Sequence, residues 1–103
     1  MPDFVYVWEF RTSEAERAAF ERAYGPDGEW VRLFRRAEGY QGTRLLRDRA
    51  DPLKFLTVDR WRSEAEYAAF RERFAADYVA LDAKCERMTV AETLLGTFED
   101  LGT

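Results

Sequence analysis

A chain of 103 residues with 20 acidic and 16 basic side chains, net charge −4, is one domain's length of polypeptide with no long block of either sign. It offers no basic face for nucleic acid, and no apolar run nears the ~20 residues of a membrane span. His is absent, which removes a Ser-His-Asp triad and a His-ligated zinc or haem, and the lone Cys85 removes an internal disulfide and a Cys metal cluster.

The chain starts Met1-Pro2-Asp3, without the basic and apolar regions of a signal peptide. With the single cysteine, this leads to the expectation of a cytoplasmic protein, one domain over residues 1–103, with no metal and no cofactor. Aromatic residues make up 16% of the chain. So many rings suggest a subunit interface or a ligand pocket, although plain core packing accounts for them as well.

The first strand is expected over residues 4–11. Phe4, Tyr6, Trp8 and Phe10 alternate with Val5, Val7 and Glu9, so both faces read as covered. Helices cover one face, and a second copy of the chain is the simplest cover for the other. Ser13 then caps a helix, with Glu16 completing a capping box. Its octapeptide, Ser13-Glu14-Ala15-Glu16-Arg17-Ala18-Ala19-Phe20, returns as Ser63-Glu64-Ala65-Glu66-Tyr67-Ala68-Ala69-Phe70. Each copy follows a strand-like run, so a strand and a capped helix occur twice in the same order.

Gly25-Pro26-Asp27-Gly28 breaks the first helix, and Asp27 is placed to cap a short helix over residues 29–36. That insert turns Trp30, Val31 and Phe34 inward and has no counterpart in the second half. It reads as a pocket wall or as a plug over the sheet. Strands follow over 40–48 and 53–61, joined by a turn. Ser63 opens the main helix, where Phe70, Phe74, Tyr78, Leu81 and Cys85 form one face. A last strand is expected over 89–98. The order β-α-β-β-α-β specifies an α+β, ferredoxin-like four-stranded antiparallel sheet with helices on one face.

Superposing the two copies pairs Glu9 with Asp59 and Arg11 with Trp61. On this alignment the odd-numbered residues face the helices, and Tyr6, Trp8, Phe10, Leu56 and Val58 face away. Two carboxylates on adjacent strands beside Trp61 raise each other's proton affinity, which makes one of them a base near neutral pH. The alternative is that each pairs with Arg11, Arg44 or Arg60. Trp61 is either a pocket wall or a core plug. Trp30, Tyr40, Phe70, Phe74 and Tyr78 are candidates to line a ligand pocket, and the helical stripe among them serves equally as core. Cys85 reads as buried and inert.

Val58-Asp59-Arg60-Trp61-Arg62-Ser63-Glu64 ahead of a helix, and Glu38-Gly39-Tyr40-Gln41-Gly42 ahead of the second strand, resemble the antibiotic biosynthesis monooxygenase family. The likeness extends over about residues 3–98. It implies a dimeric α+β barrel, in which two sheets of a homodimer pack face to face and each subunit keeps its own pocket. It also implies oxidation of an aromatic or quinol-type small molecule by O₂ without metal or flavin. In that reading Trp61 shapes the pocket and Glu9 or Asp59 is the base. Phe70 stands where many members carry His, and about Val7 where haem-degrading members carry Asn, so haem degradation is not expected. A non-catalytic dimeric domain that binds a small molecule, or acts in a stress response, is the alternative.

Overall fold

The computed structural model describes residues 2–102. Its elements run β1 (Asp3–Arg11), α1 (Arg17–Tyr24), α2 (Glu29–Phe34), β2 (Tyr40–Arg47), β3 (Lys54–Trp61), α3 (Glu64–Arg73), α4 (Ala75–Cys85), a 3₁₀ turn (Glu86–Met88) and β4 (Ala91–Asp100). The strands form one antiparallel sheet in the order β2-β3-β1-β4, the ferredoxin-like arrangement expected from the repeat.

The two octapeptides do not start their helices alike. Ser63 caps α3 directly, its Oγ accepting from the Glu66 N–H at 3.2 Å. Ser13 Oγ accepts from the Glu16 N–H at the same distance, but there the bond closes a turn, and α1 starts only at Arg17. Glu66 does not complete a capping box. Its carboxylate is held by the Arg62 guanidinium instead. Asp27 caps nothing, for the N-cap of α2 is Gly28 without a side-chain bond. The main helix is broken at Phe74 (φ −107°, ψ 27°) into α3 and α4. The hydrogen bonds Phe74 N–H to Phe70 O and Tyr78 N–H to Phe74 O persist, both at 2.9 Å, so the ladder bends without parting.

The core lies between the helices and one face of the sheet. Cross-strand register places Phe4, Tyr6, Trp8 and Phe10 of β1 beside Trp61, Asp59, Thr57 and Phe55 of β3. Tyr6, Phe10, Phe55, Thr57, Asp59 and Trp61 are all buried there. Even residues of β1 therefore share a face with odd residues of β3, against the expectation that the odd residues of both strands do. Thr12 marks the reason. It is one extra residue between the last inward ring of β1 and Ser13, and it is buried, with its hydroxyl donating to the Met88 carbonyl at 2.6 Å. The outer face carries Val5, Val7, Glu9, Leu56 and Val58, with no helix over it.

Candidate active site

Helices α1 to α4 cover β3 and β1 but leave β4 largely exposed. A cavity of about 380 Å³ opens at this side, between the sheet and α2, α3 and α4. Its floor is Tyr6, Trp8 and Phe10 of β1 with Thr57 and Asp59 of β3 and Thr43 of β2; Trp30, Phe34 and Tyr78 form the wall from the helices. Arg71, Asp82 and Glu92 line it as well and are exposed, so they mark its mouth.

Asp59 is the chemically distinctive group of the floor. It is 4% exposed, yet no Lys or Arg pairs with it among the described residues. Burial pushes its carboxyl up to about 7, and a hydrogen bond from Thr43 pulls it part of the way back. The Thr43 hydroxyl donates to Asp59 Oδ1. A hydroxyl has one proton to give, so the Tyr40 O–H, 2.5 Å from Thr43 Oγ1, donates into the chain. The relay Tyr40–Thr43–Asp59 depends on a bulge in β2. Register shifts between Tyr40 and Gly42, where Gly42 holds φ +146°. Residues 40 and 43 would face opposite ways on a regular strand; the extra residue turns both hydroxyls to the helix side.

Tyr6 is the cross-strand partner of Asp59. Burial, then the neighbouring Asp59, push its phenol far above the usual range, so it stays protonated. It accepts from the Trp61 indole N–H at 3.2 Å, which leaves its own O–H to be given elsewhere. Trp30 adds an indole N–H that is buried without an acceptor.

The profile of the family described as antibiotic biosynthesis monooxygenase matches residues 4–76, well over half of the chain. The chain belongs to the antibiotic biosynthesis monooxygenase family. Solved structures agree on the fold. A protein from Bordetella bronchiseptica described as a putative antibiotic biosynthesis monooxygenase superposes with a TM-score of 0.75 at 16% identity, over 99% of this chain and 100% of that one. A point mutant of SnoaB from Streptomyces nogalater, described as a cofactor-independent oxygenase, superposes at 0.71 with 20% identity, over 100% and 97%. A further putative monooxygenase, from Nitrosomonas europaea, gives 0.72 at 16% identity, over 96% and 90%. At such identities the likeness speaks for the fold alone. No curated protein matches the sequence.

Within this family fold the residues singled out from sequence separate. Glu9 and Asp59 do not meet. Glu9 pairs across the strands with Leu56 on the outer face, where its carboxylate lies 3.4 Å from Lys54 Nζ. Trp61 is fully buried beneath Tyr6 and does not reach the cavity; Phe34, Tyr40, Tyr67 and Phe70 surround its ring. Of the five ligand candidates, Trp30 and Tyr78 line the cavity. Phe70 and Phe74 are buried core, and Tyr40 acts only through Thr43. Tyr6, Trp8 and Phe10 are cavity floor, although alignment of the two sequence copies turns them outward. Thr43 and Arg71 carry no sequence signal. Cys85 is buried, and burial holds its thiol above the usual range, as an inert core cysteine requires.

Replacing Thr43 by Val tests the relay. The Thr43 bond lowers the Asp59 carboxyl, so its loss is expected to raise it. In a titration of the Asp59 carboxyl followed by carbon NMR, the midpoint in Thr43→Val should move to higher pH. An unmoved midpoint would place Thr43 outside the titrating unit.

Proposed function

We propose that the chain oxidises an electron-rich aromatic small molecule of quinol or anthrone type with O₂, without a cofactor, and that Asp59 is the base. The observation that carries this reading is a buried carboxyl with no Lys or Arg paired to it among the described residues, set in the cavity floor and tuned to about 7. A group so tuned is half ionised at neutral pH and suited to taking a proton. Membership of the monooxygenase family and the likeness to a cofactor-independent oxygenase support the same class of reaction.

Asp59 takes a proton from the substrate, and the carbanion left behind passes one electron to O₂. The radical pair joins through a C–O bond to give a hydroperoxide. Its O–O bond then breaks as the second hydrogen leaves the same carbon as a proton, so one oxygen becomes the new carbonyl and the other leaves as water. Tyr6 O–H is a donor for the substrate oxygen on which charge gathers. A binding module would be supported by two carboxylates both tied to cations; only Glu9 is tied.

The reading includes a homodimer. Val7, Leu56 and Val58, half-buried, give the outer face an apolar centre, and Leu46 and Phe98 extend it, 44% and 51% exposed. A second copy laid on this face removes it from water. Sedimentation should return twice the chain mass of 12.1 kDa.

Oxygen uptake by the metal-free protein against a panel of anthrones and hydroquinones tests the activity. Uptake that places one ¹⁸O in the product ketone is expected. Tight binding of the same panel without uptake would turn the assignment to a ligand-binding domain.

A further inference from the structure

We infer that the substrate is an aromatic acid, and that Arg71 at the cavity mouth holds its carboxylate. The inference rests on the reading of the cavity as a substrate site and narrows what enters it.

Arg71 is the one basic residue among those lining the cavity. Three cations of the sheet are already paired. Arg60 binds Asp3 and Asp100, Arg11 binds Asp51, and Lys54 lies between Glu9 and Asp48. Arg71 meets no carboxylate within ion-pair distance among the described residues. It is not left loose, however. Its Nη1–H donates to Tyr67 Oη at 3.1 Å, and its guanidinium carbon lies 3.9 Å from the centre of the Tyr78 ring. A guanidinium has five N–H groups in a planar fork. One bond to Tyr67 leaves enough of them to grip a carboxylate through two oxygens. Stacking on Tyr78 holds the fork in place beforehand, so less side-chain freedom is lost when an anion arrives.

The rest of the mouth sets the direction. Glu92 lies toward Tyr24, whose phenol is pushed up by burial and then by Cys85, Glu92 and Asp82, while Asp82 acts on Tyr78 as well. Glu92 is itself pushed up, by burial first and then by Asp82. An anionic group is repelled from that side and drawn to the Arg71 side. The aromatic body of the ligand then lies against Tyr78, Trp30 and Phe34. A neutral ring system meets no such preference and leaves Arg71 unanswered.

The test uses two probes of one shape, anthraquinone-2-carboxylate and the neutral anthraquinone-2-carboxamide, titrated by tryptophan fluorescence at pH 8. The carboxylate is expected to bind the wild-type chain about tenfold tighter or more, the range of a charge-assisted hydrogen-bonded pair. Arg71→Gln should abolish that preference and leave the carboxamide within about twofold of its former Kd. Arg71→Lys should keep part of it, since the charge stays but the fork does not. Equal binding of both probes to the wild type would overturn the role of Arg71 and leave the cavity as the ligand site. An equal loss of both probes in Arg71→Gln would also overturn it, by making Arg71 a support for Tyr78 alone. Binding of neither probe would overturn the cavity reading, and this inference with it.

Discussion

Asp59→Asn is expected to cut turnover by on the order of 10²- to 10⁴-fold, the usual contribution of a positioned general base. Asn keeps the size of Asp and an oxygen to accept from Thr43, so the relay and the floor persist while the proton acceptor is lost. The sign with pH follows. Asp59 acts as a base only when ionised, and its carboxyl sits at about 7. Wild-type kcat/KM should therefore be low at pH 5, rise through about pH 7 and level off above it. A profile flat from pH 5 to 9, or an Asn variant within about threefold of wild type, would remove Asp59 from the chemistry.

The same substitution should act in the opposite direction on stability. The folded carboxyl at about 7 lies above the ordinary 3.8, so the folded state holds a proton that the unfolded chain gives up. The contribution of Asp59 is complete below about pH 4 and is lost as pH rises to 7. Each unit is about 1.4 kcal/mol and the linkage spans about two units between pH 5 and pH 8, so the stability of Asp59→Asn relative to wild type should rise by roughly 3 kcal/mol over that range. Urea unfolding at the two pH values measures it. A dead variant that grows relatively more stable with pH would mark a group kept for chemistry at a cost to the fold. A constant gap would mean that the carboxyl is not held in its neutral form.

The fold was legible because its signals are local and repeated. Two strands each followed by an octapeptide that opens on Ser, and one helical face running from Phe70 to Cys85, specify the topology without any contact being known. The faces of the strands were less legible, because a single residue inverts them. The 50-residue repeat aligned Glu9 with Asp59, but Thr12 adds one residue before Ser13, and the true partners are Tyr6 with Asp59 and Glu9 with Leu56. The chain held the corrective signal, since Phe4, Tyr6, Trp8 and Phe10 make the more aromatic face of β1 and belong against the helices. Thr43 was hidden for a related reason. Only the bulge at Gln41 brings it to the face of Tyr40, and Gln41-Gly42 does not announce a bulge on its own. Arg71 was hidden by its surroundings, for on sequence alone it is one more exposed arginine of an amphipathic helix.

Trp61→Ala is expected to cost about 3–5 kcal/mol, the range for removing a large aromatic from a core. Trp61 is fully buried, and five aromatic neighbours depend on it, one through its N–H and four through ring contacts. A domain of this size is stable by about 5–15 kcal/mol in all, so much of the Ala variant is lost to unfolding at assay temperature. Its inactivity therefore reports the fold and says nothing of catalysis, although Trp61 is the residue to which the sequence draws attention first. Trp61→Phe separates the two. It keeps a ring in the plug, leaves a smaller cavity than Ala does, and removes the N–H donated to Tyr6, so the melting curve should stay cooperative at a lowered midpoint and kcat/KM should fall by about tenfold or less. Tyr6 freed from that bond has its hydroxyl less well aimed, and the loss should appear in kcat more than in KM, with the midpoint of the pH profile unchanged. A folded Trp61→Phe variant with turnover reduced beyond a hundredfold would show that the indole meets the substrate itself, and that the cavity extends beneath Tyr6 when a ligand is bound.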